Sequence, residues 1–492
     1  MKKYGILLLA MGCTTAIMAQ QERSVFSASG RAGVSTSFVT DYQTIGINPA
    51  NLGLPSKYPD KHVSFGFFEW AHSIHSEALT KPDLRNSIRN IDSDEFTYQD
   101  QVDAARSFAQ AGVSVNADLT LFGIGVNTKK IGGFAFGIKE RIQWYSIFNE
   151  TTSDILFLGY NAPYFDWKVM TNGDTLMAND PNFNPDSVTS GISASPKLIS
   201  SLMNGSRVTM SWVREFNFAY GVKLFGVAKD EGEGDKLALF GGIGFKYLAG
   251  VAIIDIGSEN NQLSAFSAVT PFLDIDYGSA GDANPSAVEQ SGGLPNTVGS
   301  GMGIDLGLTL TLNDNVKISA AMTDMGSMTW DGNVYQMNDT LVINTNSGGF
   351  ESYNIFAEAP KILSDSGTFN WDGVVERKEK LPTVIRAGAS IMFSEKLEVG
   401  IDAVMPANTE PGNIENPLVA AGLDFRALPW LRLSSGLIVG GNYGFNLPAG
   451  IGILMGENGG WEMGIATRDV LTYFSPNNPT LSMSFGFLRF RV

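Results

Sequence analysis

Residues 207–227 read RVTMSWVREFNFAYGVKLFGV, and the alternation in this stretch decides the fold. Met210, Trp212, Phe216, Phe218, Tyr220, Val222 and Leu224 fall on one parity; Thr209, Ser211, Glu215, Asn217 and Lys223 fall on the other. A strand points successive side chains to opposite faces, so period two at this length predicts an extended strand with one apolar and one polar face. Twenty-one residues at about 3.3 Å each extend roughly 70 Å, beyond an apolar bilayer band about 25 Å tall even when tilted. Strands of soluble sandwiches run to five or six residues and could not hold so many aromatic side chains towards water.

Working outward, GFAFGIKERIQWYSIF (133–148) sets Phe134, Phe136, Ile138, Ile142, Trp144 and Phe148 against Gly137, Lys139, Arg141 and Gln143. Further segments of this kind run from HVSFGFFEW (62–70) to LSMSFGFLRFRV (481–492) and bring the count to about fourteen. The gaps between them alternate long and short: 71–111 and then 128–131, 149–205 and then 228–235, and so on to 394–396. Short turns on one side and long loops on the other are the mark of an up-and-down transmembrane β-barrel. An even strand number leaves both termini on the short-turn, periplasmic side. NDN (313–315) supplies hairpin chemistry, whereas 259–293, free of Lys and Arg, reads as an exposed acidic loop.

The opening MKKYGILLLAMGCTTAIMAQ has two lysines, a short apolar run and Ala19 at a cleavage position, the pattern of an export signal. A lipoprotein reading with Cys13 as the lipidated residue is the alternative. Cleavage after Ala19 would take Lys2 and Lys3 from the 34 basic residues, leaving 32 against 50 acidic ones, a net −18 that argues against nucleic acid as a partner. Cys13 is the only cysteine, so the chain after cleavage has no disulfide, thiol nucleophile or Cys-based metal site. His72, His75 and Glu77 lack zinc spacing, DIDYG (274–278) lacks the rest of a calcium loop, and no catalytic constellation stands out. The expectation is therefore no enzyme, no metal and no cofactor.

Two charges, Glu140 and Arg214, interrupt the apolar face, and pairing across adjacent strands would reconcile them with lipid. In 481–492 the apolar parity slips by one after Phe487, as at a β-bulge. The polar parity carries Lys139, Arg141, Glu215, Lys223, Lys246, Asp305, Arg386, Glu398, Asp402, Asp424, Arg432, Glu462 and Arg468, a mixed set suited to a lumen crossed by ion pairs. Trp70, Trp144, Trp212, Trp430 and Trp461 fall near strand ends, as interfacial anchors do. MTWDG (328–332) and FNWDG (369–373) read as turns in strands extended beyond the membrane, or as a ligand or partner surface.

Before the first strand stands TIGINPANLGLP (44–55). Asn48 suits an N-cap, Pro49 the first helical position and Gly53 a left-handed C′ position, so one turn is expected over 49–52. It is read either as a plug folded back into the lumen or as a plain periplasmic turn.

SGRAGVSTSFVTDYQTIGINPANLGL, the fourteen strands and the terminal FGFLRFRV together resemble the long-chain fatty acid transporter superfamily, FadL and the related PorV-type proteins. The resemblance implies a hatch containing Asn48, Pro49, Ala50, Asn51 and Gly53. It implies a signal over 1–19, a hatch over 20–60 and a barrel over 61–492, placed in the outer membrane among lipid and lipopolysaccharide. Two functions follow from it: passage of small hydrophobic or amphipathic molecules through a plugged lumen, or docking of export-machinery proteins. A general porin is the third.

Overall fold

The computed structural model describes residues 25–56, 60–89, 96–128, 131–181, 183–229, 234–363, 370–414, 416–441, 444–456 and 459–492; the export signal, expected over 1–19, lies outside them. Each period-two segment is a strand: β1 (Val63–Ser76), β2 (Val113–Thr128), β3 (Gly132–Ile147), β4 (Arg207–Ala228), β5 (Asp235–Glu259), β6 (Gly299–Leu312) and β7 (Val316–Trp330). The second half supplies β8 (Val384–Ser394), β9 (Leu397–Pro406), β10 (Leu418–Leu428), β11 (Leu431–Gly440), β12 (Ala449–Met455), β13 (Trp461–Thr467) and β14 (Thr480–Arg491). Each pairs antiparallel with the next, and β1 pairs with β14, Ser64 opposite Arg491 and His75 opposite Thr480. The result is a closed fourteen-stranded antiparallel barrel with no free edge.

The outward parity is apolar and bare: Phe218, Ile243, Leu308, Ile401, Val419 and Ile451 each expose half or more of their surface. An exposed apolar belt of this kind marks a surface that faces a membrane or a partner. The two charges on it, Glu140 and Arg214, stand opposite each other on β3 and β4 and form an ion pair, with the Trp212 indole donating to the same carboxylate at 2.9 Å. Local turn chemistry matches the sequence: in the three-residue loop 313–315, Asn313 and Asp314 both adopt positive φ (51° and 64°), and Asn315 N donates to Leu312 O at 3.2 Å. The slip in the last strand is a bulge: Glu462 pairs with Arg489 but Gly464 with Gly486, and Phe487 and Leu488 both face out.

On the long-loop side the chain builds a layer of its own. It contains helices Tyr98–Phe108, Glu150–Leu158 and Ile199–Leu202 and a small sheet of Trp167–Met170, Thr175–Met177, Val188–Leu198 and Leu341–Thr345. This layer packs on the outward face of the upper strands, where Ile74, Trp144, Met210, Trp212 and Ile254 are buried with Phe157, Leu202 and Phe350 in one cluster. Trp144 meets Phe356 edge-on at 5.3 Å. Trp144 and Trp212 are thus core residues of the loop layer rather than interfacial anchors, because the apolar stripe of β3 and β4 continues beneath that layer. Trp430, half exposed in the β10–β11 turn, retains the geometry of an anchor. The acidic segment also departs from expectation: Gln262–Val269 pairs with β5 and buries Ala265, Phe266 and Ala268, its alternation masked by Ser and Ala.

Candidate functional site

Residues 25–54 enter the barrel from the short-turn side and run across its interior. A short helix (Phe26–Ser29) and two 3-10 turns (Asp41–Thr44 and Pro49–Gly53) give the segment its compactness, and nearly every residue is buried. Asn48 caps the second turn, its Oδ1 accepting from Ala50 N at 3.1 Å. Its Nδ2 donates to Thr36 O at 3.0 Å and to Thr309 Oγ1 on β6 at 2.9 Å. Asn51 repeats the pattern, donating to the Thr36 and Val39 carbonyls at 3.0 Å and accepting from Thr309 Oγ1 at 2.7 Å. Pro49 occupies the first position, where no N–H is needed. Gly53 differs from expectation: it lies within the turn and not in the left-handed region, and glycine is required there because a Cβ would stand 2.8 Å from the Val222 backbone.

That close approach recurs around the wall. Thirteen of the fourteen strands present a glycine to this segment; the exception is β7, whose Lys317 donates to Ser37 O at 3.1 Å. Gly133, Gly221, Gly242 and Gly307 form a cross-strand row on β3–β6 beneath Leu52, Pro49 and Ala50. Gly400, Gly422 and Gly436 do the same on β9–β11 beneath Phe38, Arg31 and Ala32, and Gly464 and Gly486 receive Phe26. At this level the inner wall is backbone, and the inserted segment supplies the side chains.

Charged anchors fix the insert. Asp402 accepts from Ser35 N, Thr36 N and Thr36 Oγ1 at 2.7–2.8 Å. Arg31 pairs with Asp424 at 2.6 Å and lies 4.6 Å over the Phe38 ring, and Lys139 donates to Ile45 O at 3.3 Å. Tyr42 reaches the buried Glu69 of β1. Arg489 joins Asp41 (2.7 Å) to Glu462 (3.1 Å), which also binds Arg432 (2.6 Å) and Arg491. Nearer the loops, Lys246 bridges Asp305 (2.7 Å) and Asp324, and Arg141 lies 3.6 Å from Asp324 and 3.8 Å from Asp118.

The residues assigned to the lumen from sequence therefore divide into three groups. Lys139 and Asp402 hold the insert, Arg141 and Asp305 belong to the network above it, and Arg432 belongs to the one at the short-turn mouth. Glu215 accepts from Asn217 at 3.2 Å beside the upper network, and Arg386 is buried on β8. Lys223 is the exception: beyond the insert and next to a bulge in β4, it is 43 % exposed and pairs with Asp235 at 2.6 Å. The sequence reading missed the glycines and also Asp118, Asp324 and Arg489, each of which faces inward on a parity that a bulge shifts relative to the insert-facing residues of its strand. His72 and His75 lie within β1 and point to opposite faces, His75 inward to Thr480 Oγ1 at 2.9 Å.

On the loop side of the insert lies a small pocket. Val213, Leu248, Ile253, Met328, Trp330 and Leu381 form its apolar wall; Arg141, Glu215, Asp324, Glu379 and Lys380 contribute polar groups. Trp330, from the MTWDG stretch, is thus an inward-facing lining residue.

A search of curated proteins gives no match. Among solved structures, the chain is similar to a TodX deltaS2S3 mutant monoaromatic hydrocarbon channel (11 % identity, 95 % of this chain and 97 % of that one covered, TM-score 0.44). It is also similar to the Ralstonia pickettii toluene transporter TbuX (11 %, 96 % and 98 %, TM-score 0.41) and to a Pseudomonas aeruginosa FadL homologue (10 %, 97 % and 97 %, TM-score 0.38). Residues 196–457, more than half of its length, match the model of a family of unknown function, DUF5723, and the chain belongs to that family.

Proposed function

We propose that this protein is an outer-membrane barrel of a diderm bacterium, exported by the signal over residues 1–19, that passes small hydrophobic or amphipathic molecules through a lumen plugged by residues 20–60. Asn48, Pro49, Ala50, Asn51 and Gly53 form the hatch, and residues 61–492 form the barrel that carries it. The observation that carries this reading is an apolar outward belt around a bore occupied by residues 25–54, with a small pocket partly walled by Val213, Leu248, Ile253 and Met328 on the loop side. A bore filled in this way does not suit a general porin. Uptake of a labelled hydrophobic solute by cells with and without the protein tests the reading, and equal uptake would refute it. Deletion of residues 25–54 complements the test: the barrel should still insert and should admit solutes that the intact protein excludes.

A second reading, docking of a surface-export partner, is favoured by one feature. The small sheet of the loop layer exposes Trp167 beside Met177 and Leu341 beside Leu198. Purification in mild detergent that recovers the barrel alone would count against it.

A further inference from the structure

The connection between β13 and β14 displays two aromatic side chains that no described residue covers. Tyr473 is 61 % exposed and Phe474 85 %, the barest large apolar side chain among the described residues. They do not sit on a loose loop. Asp469 accepts from Leu471 N (3.1 Å), Thr472 N (2.9 Å) and Thr472 Oγ1 (2.6 Å), which holds the 3-10 turn Leu471–Tyr473 at its start. Lys81 closes the other end, its Nζ donating to Thr472 O (2.7 Å) and Tyr473 O (3.3 Å) and its backbone N to Pro476 O (2.7 Å). The backbone beneath the two rings is thus fixed before anything meets them, which lowers the entropy lost on docking.

The height of the turn identifies what meets it. Trp461, at the short-turn end of β13, stacks on Phe490 of β14 at 6.0 Å. From Phe490 to Thr480 the strand climbs about 33 Å along its length and, at a tilt of about 40°, about 25 Å across the membrane, the height of the apolar band of such barrels. Thr480 N donates to Thr472 Oγ1 at 2.9 Å, so the turn stands at that upper edge. On the other side Val470 N donates to Leu447 O at 2.8 Å, close to Phe445 and its cross-strand partner Val439, both half-exposed members of the outward belt. Tyr473 and Phe474 take no part in the cluster beneath the loop layer. Residues 470–476 (VLTYFSP) carry no charge, and a phenol beside a phenyl ring suits a boundary between water and hydrocarbon.

From the outer-membrane placement, and independently of any transported solute, we infer that the Leu471–Phe474 turn is a membrane anchor. Phe474 enters the acyl chains of the outer leaflet, and Tyr473 lies at headgroup level with its hydroxyl towards water.

A nitroxide label at Phe474→Cys tests this, in protein that also carries Cys13→Ser and is reconstituted into phosphatidylethanolamine–phosphatidylglycerol vesicles. Its collisions with oxygen, which concentrates in hydrocarbon, are compared with those of a polar nickel chelate, which stays in water. Labels at Ile451→Cys on the belt and at Leu294→Cys in the loop before β6, both exposed positions, are the references. The chelate should reach the label at 474 about tenfold less often than the one at 294, since a polar complex is costly to move into hydrocarbon, and oxygen should reach it as it does at 451. A label at Tyr473→Cys should fall between the two references. Chelate access at 474 equal to that at 294, with 451 shielded, would overturn the inference and leave the barrel in its membrane. A label at 451 equally open to the chelate would overturn the membrane placement and the inference with it. If Phe474→Cys fails to insert, the label at 473 decides, and chelate access there equal to that at 294 would overturn the inference.

Discussion

Alanine at three of the wall glycines should unseat the plug without harming the barrel. Gly221, Gly242 and Gly307 are cross-strand neighbours on β4, β5 and β6, and none has positive φ, so alanine fits the strand backbone at each. The obstacle is the plug. A Cβ at Gly242 would stand 2.3 Å from both Pro49 C and Ala50 N, one at Gly221 would stand 2.3 Å from Pro49 O, and one at Gly307 would stand 2.0 Å from Asn48 Oδ1. Carbon contacts relax to about 3.5 Å, so the Asn48–Ala50 turn must retreat by more than about 1 Å. Overpacking of a filled interior costs about 1–3 kcal/mol per site, and the three sites press on one turn and will not add fully. A combined cost of about 2–6 kcal/mol would shift the balance between seated and displaced plug by roughly 30-fold to 10⁴-fold. The assay is maleimide labelling of a reporter cysteine at Ser37, which is fully buried, in a chain that also carries Cys13→Ser. Heat-modifiable mobility on gels confirms that the barrel is closed. A correctly folded triple variant that labels no faster than the Ser37→Cys parent would refute the claim that the wall is shaped to the plug.

Asp402→Asn removes the charge from an acceptor shared by three plug donors; hydrogen bonds to charged groups contribute about 1.5–3 kcal/mol, and the same Ser37 reporter should label faster as the plug loosens. Glu140→Gln leaves Arg214 facing outward without its counter-charge, at a cost of up to about 2–4 kcal/mol if that level lies in the bilayer. The urea midpoint in lipid should fall, and the exchanged pair Glu140→Arg with Arg214→Glu should recover most of it. Trp212→Ala empties a buried site under the loop layer, where such truncations cost about 3–5 kcal/mol. Protease added to intact cells should then cut the loops sooner, with membrane insertion unchanged.

The barrel was legible because each strand repeats one local rule, and because the alternating gap lengths carry the topology. Asn48 and Pro49 were legible for the same reason, since capping is a matter of adjacent residues. Trp144 and Trp212 were misplaced because an outward apolar side chain looks the same whether lipid or a folded loop covers it, and only the loop's tertiary position tells them apart. Gly53 was explained by the wrong property: a glycine that frees φ and one that admits a neighbour's backbone are identical in sequence. A clue did exist in 133–137, where Gly133, Ala135 and Gly137 occupy every inward position opposite Phe134 and Phe136. Such smallness on a lumen face makes sense only if something else fills the lumen. Trp330 was invisible as a pocket residue because its role depends on the glycines of two other strands.

The bare inner wall also determines where new selectivity can arise. A porin whose lining comes from fourteen strands must be altered at scattered positions, each constrained by the register of its neighbours. Here the filling at the level of the glycine rows is one continuous stretch of about thirty residues, resting on glycine backbone between wall anchors such as Asp402, Asp424 and Lys139. Exchange of that stretch between relatives with matching glycines and anchors would replace the whole filling in a single graft, as a cartridge is changed inside a fixed housing.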